Sequence, residues 1–486
     1  MEQHIRNKAR GYDRYKRRIP HNRLKGVCKV KILLKGGCLI YSNKREDKDI
    51  LIEGEKIIKI EADINPSAAD EVVDVTGKLL FPGFIDPHTH FDLEVAGTVT
   101  ADDYYSGTKA AIAEGTTMII DFATQNHGET LAEAIMNWDK KSVGKSNCDY
   151  GYHMAISEWN DAICEEVGEM LEKGITSFKL YMTYDAMYLN DGAIYKALKR
   201  MKEIGGLAGV HCENREVIEV LIRENKEQGN LSPEYHAKSR PWQTEAEAID
   251  RLLNIASIVE VPVMVVHLST AAGYAVIKHA KERNQKVYVE TCPQYLMMTD
   301  DKYKLPDFEG GKYIIAPPLR STVDKEVLWK ALKENQINTI GTDHCSFTLE
   351  QKQAGSEDFS KTPGGMPGVE NRPALLYTYG VREGKLTLEQ MCGYLSENVA
   401  KLYGMYPTKG TLLVGSDADI VVWDPDRERT LNKETQHAAV DYHPYEGTKV
   451  WGIAKQVYLR GQLVAEEGKV LMERVGTYIK RKSGEI

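Results

Sequence analysis

Six side chains of this 486-residue chain have the types and the placement to hold divalent metal ions. His88 and His90 stand in Asp86-Pro87-His88-Thr89-His90, Lys179 in TSFKLYMT, His211 in LAGVHCEN, His267 in PVMVVHLS and Asp343 in NTIGTDHC. On an extended segment, residues two apart share a face, so the His88 and His90 imidazoles can reach one ion. Neutral imidazole suits zinc and other borderline divalent ions. Taken singly, His211 and His267 read equally as core histidines satisfied by backbone groups, and Asp343 as a helix N-cap. Their shared position, at the ends of apolar runs, favours one common site. Lys179 is the odd member, because an ammonium among metal cations is electrostatically costly. Burial and nearby positive charge lower a lysine's pKa, and the neutral amine can take up carbon dioxide as a carbamate. A carbamate is a carboxylate on a long stem, able to bridge two cations about 3.5–4 Å apart as in two-metal hydrolytic sites.

The elements that position these residues are legible in the rhythm of residues 81–405. Apolar runs alternate there with amphipathic stretches of helical length. The runs are LLFPGFID, TTMIIDFA, YGYHMAIS, TSFKLYMT, LAGVHCEN, PVMVVHLS, KVYVETCP and NTIGTDHC. Eight βα units of this kind predict a (β/α)8 TIM barrel, whose strands are buried on both faces and so read as unbroken apolar runs. A doubly wound open sheet is the competing arrangement. In the barrel, the candidate ligands fall at the C-terminal mouths of strands 1, 4, 5, 6 and 8, where barrel active sites sit.

Short alternating segments flank this region: CKVKILLKGGCLIYS and DILIEGEKIIKIEADI before it, ADIVVWDP and AKQVYLRGQLV after it. They predict a small β-sandwich domain assembled from residues 28–80 and 406–470, with 471–486 as a C-terminal tail. Residues 1–25 carry nine basic and two acidic side chains within a chain of net charge −8. Residues 1–27 are expected to be a disordered arm rather than a nucleic-acid tail. The 28% charged and 42% apolar residues are those of an ordinary globular protein, and no apolar run approaches the roughly 20 residues of a membrane span. Eight scattered cysteines without a CxxC pair point to reduced thiols in the cytoplasm.

Together these residues resemble the amidohydrolase superfamily and, within it, the dihydropyrimidinase and hydantoinase family. GFIDPHTHF is similar to the family's first metal motif, FKLYMTY to its carboxylated-lysine strand, GVHCEN and VVHLST to its later histidine strands, and GTDHCSF to its aspartate strand. The likeness runs from about residue 30 to about residue 465. It implies that His88, His90 and Asp343 bind one metal and His211 and His267 the other, with Lys179 bridging as N6-carboxylysine. It further implies two divalent ions, zinc by ligand type, with Asp343 as the catalytic proton carrier. Tyr184 would donate to the oxyanion. Family members hold the substrate ring through main-chain groups of a serine in an SPPLR-like stretch and an asparagine in a PNG-like stretch. The corresponding residues here are Ala316 in IAPPLR and Gly364 in TPGGMPG. Val95, Tyr181 and Tyr188 would face the ring's substituent. The reaction implied is opening of a dihydropyrimidine or hydantoin ring to an N-carbamoyl amino acid, by a homotetramer or dimer with neither nucleic-acid nor membrane partners. Allantoinase-like and dihydroorotase-like activities stay open, as does a non-catalytic scaffold. Against the first two stand DLEVAG in place of an NEPG-like stretch, and Asp92 where dihydroorotases have an arginine.

Overall fold

The structure, a computed structural model, describes residues 30–485. The basic arm expected over residues 1–27 lies outside the described residues. At the centre is an eight-stranded parallel sheet whose order follows the chain. Its strands are β1 (Phe84–Thr89), β2 (Thr116–Thr124), β3 (Asp149–Ala155), β4 (Ser177–Tyr181), β5 (Leu207–His211), β6 (Val263–Val265), β7 (Val287–Thr291) and β8 (Thr339–Ile340). Each overlaps one of the apolar runs. Helices follow the strands, among them Tyr104–Ala113, Leu131–Ser142, Asp161–Glu172, Asp191–Ile204, Ala271–Glu282 and Thr322–Lys333. Several begin on a reciprocal cap such as Thr130 with Glu133 or Ser321 with Asp324, each worth about 1 kcal/mol. This is the (β/α)8 barrel.

Side chains close the seam between β1 and β8. The fully buried Arg372 donates to the Ile85 carbonyl at 3.0 Å and to the Ile340 carbonyl at 2.7 Å. Thr342 donates from its N–H and its hydroxyl to the Asp86 carboxylate, at 3.1 and 2.7 Å. Beyond them Thr89 and His344 form a parallel bridge.

The lower barrel is packed by Ile85, Met118, Ile120, Leu207 and Met264 against Leu402, Tyr403 and Met405. The segment past residue 470 runs along this N-terminal end: the Ile479 N–H donates to the Tyr150 carbonyl at 2.8 Å and the Arg481 N–H to the Gly174 carbonyl at 3.1 Å. The buried Arg481 guanidinium reaches in to Ser177 Oγ at 3.0 Å, at the start of β4.

The chain's two ends build a second sheet of nine strands. Leu79–Pro82 joins the halves, parallel to Lys31–Ile40 on one side and antiparallel to Ile420–Thr430 on the other. The sheet folds over one core, in which Leu34, Leu39, Ile52 and Ile57 meet Leu412, Ile420, Val422 and Tyr458. No helix among the described residues is long and apolar enough to cross a membrane.

Candidate active site

Strand periodicity places the site. In β1, Asp86 and His88 point to one face, and His90 follows them just past the strand end. In β4 the same rule turns Ser177, Lys179 and Tyr181 to one face, so Lys179 sits one layer beneath the rim rather than at the strand end. The sixth and eighth strands stop at Val265 and Ile340, before His267 and Asp343. Both residues adopt left-handed backbone, at φ +39° and +52°, as does Tyr184 at φ +66°. Left-handed φ is uncommon outside glycine and costs on the order of 1–3 kcal/mol where the surroundings impose it. Three such residues at one mouth are backbone strain concentrated where side chains must be aimed.

Among the described residues, His88, His90 and Asp343 form a group whose ligand atoms all lie within 4.8 Å of one another. The Asp343 Oδ1 is 3.2 Å from His88 Nε2 and 3.1 Å from His90 Nε2. The Lys179 Nζ is 3.5 Å from the same His88 nitrogen. His267 joins the group with its ring centre 5.5 Å from that of His88, and His211 lies 4.5 Å beyond His267. All six residues expected to be ligands thus lie in one cluster. Gly341 permits the approach, because a Cβ there would stand 2.8 Å from both the Glu290 carboxylate and the His88 Cβ.

Buried carboxylates aim the imidazoles. Glu290, on β7, sits 2.6 Å from His88 Nδ1, which leaves Nε2 turned toward Asp343. Glu213 sits 2.7 Å from His211 Nε2, which leaves Nδ1 free. Arg240 donates to the same Glu213 oxygen at 2.6 Å; burial would raise the Glu213 carboxyl, but Arg240, His211 and Arg320 together hold it down at about 2. The His267 Nδ1 is buried without any hydrogen-bond partner among the described residues. Burial, reinforced by Lys179, pushes His88 and His267 well below the ordinary histidine range, so both are neutral and able to donate a lone pair to a cation. Burial also pushes the Lys179 ammonium down. At Asp343, burial would raise the carboxyl, but His88, His90 and His267 prevail and hold it well below the carboxylate range. Neutral imidazoles, an ionised carboxylate, carboxylates behind the rings and an orphaned buried nitrogen together fit divalent metal.

Glu290 was not singled out from the sequence, nor was Phe122, whose ring stacks 4.8 Å from His90 and lies 5.1 Å under the Lys179 Nζ. A carboxylate near the end of a buried strand run was the available signal for Glu290. Carboxylates behind metal-binding histidines typically matter about 10–100-fold in metal affinity. Glu290→Ala is therefore expected to weaken metal binding by about that factor, read by chelator competition, with the far-ultraviolet spectrum unchanged.

The other expected residues are placed as follows. Tyr184 lies 5.0 Å from the His211 ring, and its hydroxyl has no hydrogen-bond partner among the described residues. Burial pushes its phenol up, so it stays a proton donor. Tyr181 stacks 6.0 Å from His211 and pairs in a β-bridge with Tyr188, whose ring lies under Arg215 at 4.8 Å. Val95 is exposed on a hairpin, paired with Thr98. Asp92 accepts a hydrogen bond from the Tyr104 N–H at 3.3 Å. The main-chain groups of Ala316 and Gly364 take part in no hydrogen bond among the described residues, while their neighbours do.

Residues 79–464 match the model of the amidohydrolase family. The chain belongs to the amidohydrolase family. It is 44% identical to a D-hydantoinase of Geobacillus stearothermophilus over 92% of this chain and 96% of that protein. To a D-phenylhydantoinase of Escherichia coli O1:K1 / APEC it is 37% identical, over 93% and 98% of the two chains. The crystal structure of dihydropyrimidinase from Brevibacillus agri NCHU1002 superposes with a TM-score of 0.92 at 42% identity, covering 94% of this chain and 100% of that one. The barrel and the small sheet of this amidohydrolase are therefore those of solved family members.

Proposed function

We propose that this amidohydrolase opens the ring of a cyclic amide, a dihydropyrimidine or a hydantoin, to give an N-carbamoyl amino acid. The observation that carries the reading is the clustering of four imidazoles, Lys179 and Asp343 at one barrel mouth. The relatives that bear hydantoinase and dihydropyrimidinase names support it. The residues 81–405 would be the catalytic unit and the composite sheet of 28–80 and 406–470 its support, in a cytoplasmic homo-oligomer. His88, His90 and Asp343 would hold one divalent ion and His211 and His267 a second, zinc by ligand type, with carbamylated Lys179 between them. Bound ions would lower the pKa of water and polarise the attacked carbonyl.

The chain's own residues do the rest. Asp343, ionised and unable to leave its place between His88 and His90, accepts the proton of the attacking water and returns it to the ring nitrogen as the amide bond breaks. The Tyr184 phenol donates to the oxygen that gains charge. The free N–H and C=O groups at Ala316 and Gly364 match the alternating donors and acceptors of a ureide ring edge, and as backbone groups they need no side chain there. Asp92 bonds to the start of a helix and presents no cation for a substrate carboxylate, which favours an uncharged ring over a dihydroorotate-like one.

The test is ring opening of dihydrouracil and 5-substituted hydantoins by the purified, zinc- or manganese-supplemented enzyme; no turnover of any cyclic amide overturns the reading. Removal of one oxyanion donor typically costs about 10²–10³ in kcat. Tyr184→Phe should lower kcat by that factor with metal content unchanged.

A further inference from the structure

The short helix Leu349–Gln353, in the loop that follows β8, carries a cation buried to 1% exposure, Lys352. Its Nζ donates to three main-chain carbonyls, of Ile314 at 2.9 Å, Pro363 at 2.7 Å and Gly365 at 2.7 Å. No carboxylate pairs with it among the described residues, so these three oxygens are its whole compensation, with the face of Phe347 at 5.6 Å. Burial pushes this lysine down to about 7, while three carbonyl acceptors favour the ammonium, whose three N–H donors they use. The carbonyls belong to two loops far apart in sequence, and they flank the residues whose main-chain groups are free. Ile314 is two residues before Ala316, and Pro363 and Gly365 bracket Gly364. The two loops also meet directly, through the Gly365 N–H and the Ile314 carbonyl at 3.0 Å. Gly365 itself tolerates no side chain, since a Cβ there would stand 2.3 Å from the Cys345 carbonyl.

The same helix holds a third loop. Gln351 donates to Thr98 Oγ1 at 2.8 Å and to the Val99 carbonyl at 2.7 Å, on the hairpin that carries Val95. A polar helix of five residues thereby ties together the segments around Val95, Ala316 and Gly364.

We infer that Lys352 is a positioning residue for ring recognition: by fixing three carbonyls on two loops, it sets the separation of the Ala316 and Gly364 main-chain groups and so the size of ring they accept. The inference rests on the proposed reading of Ala316 and Gly364 as the ring-binding groups. Lys352 touches neither the metal ligands nor the substrate, and its contribution is the distance between groups that do.

The experiment compares the metal-loaded wild type with Lys352→Met, an unbranched side chain one atom shorter that removes the donors. Hydrogen exchange followed by mass spectrometry should show lost protection confined to peptides covering 312–318 and 360–368. In kinetics, KM for the cyclic amide should rise about tenfold or more while kcat changes less than about threefold, the signature of lost uniform binding. The ratio of kcat/KM for five- and six-membered rings should also shift, whereas a remote destabilising variant, Leu34→Ala in the composite sheet, should leave that ratio unchanged. Unchanged local protection overturns the pinning. Lost protection with unaltered KM and ring-size ratio overturns the specificity role. If the wild type opens no cyclic amide, the proposed function fails, and the exchange measurement still decides whether Lys352 joins the loops. Should the Met variant not fold, Lys352→Gln, which retains two donors, carries the same readouts.

Discussion

Lys179→Ala is expected to remove bound metal and turnover together, with kcat/KM for ring opening reduced by at least about 10³-fold. The magnitude follows from the several kcal/mol that metal polarisation and water activation supply, at about 1.4 kcal/mol per tenfold. In the proposed site the loss would fall on both metal positions, because carbamylated Lys179 would serve both sets of ligands; its Nζ lies 3.5 Å from the His88 nitrogen that faces Asp343. Burial lowers the ammonium's hold on its proton, and in the proposed site the neutral amine would add to carbon dioxide, losing a proton to form an anionic carbamate. The unmodified lysine would instead repel cations, which gives the prediction a second arm. Metal-free wild type should take up two equivalents of zinc faster and more fully with bicarbonate than in buffer stripped of carbon dioxide, and Lys179→Ala should be indifferent to bicarbonate. Lys179→Met, which fills the space between Phe122 and Tyr181, separates lost chemistry from lost packing. A Met variant that retained two metals and wild-type turnover would contradict the bridging role.

The parts of this molecule that could be read from its residues are those in which burial leaves a pattern. The eight strands are covered on both faces, so each stands out as an apolar run, and a polar residue at the end of such a run, like His211 or Asp343, is conspicuous. Glu290 obeys the same logic in KVYVETCP, yet it was passed over because one carboxylate in a run has no partner at fixed spacing to mark it. Arg372, which closes the barrel seam, is equally silent, since its partners at Ile85 and Ile340 are main-chain oxygens that any residue would supply. Lys352 lies in TLEQKQAG, and its burial is created by loops from 314 and 363 that no local periodicity brings near. The tail GTYIKRKSGEI is polar enough to pass for a loose end. What docks it is backbone pairing at the barrel's lower rim together with inward side chains, Tyr478 against the Tyr150 and Tyr152 rings and Arg481 on Ser177.

Asp343→Asn should separate binding from proton transfer, which Lys179→Ala cannot. The amide matches the carboxylate in volume and can still place an oxygen between His88 and His90, but it neither carries charge nor accepts a proton. General acid–base catalysis contributes about 10²–10⁴-fold, and kcat is expected to fall by that amount. In the proposed assignment the ion held by His211 and His267, with the Glu213 and Arg240 buttress behind His211, would not use Asp343. Metal content should accordingly fall from two equivalents toward one, against the loss of both in Lys179→Ala, as atomic absorption after gel filtration would show. The imidazoles that now hold Asp343 ionised would lose their countercharge, and the amide would leave the depressed His88 and His267 still less able to protonate. They would remain neutral ligands, so high zinc should restore the second ion without restoring turnover. If zinc restored both, Asp343 would be a ligand only, and the proton would have to travel by another residue.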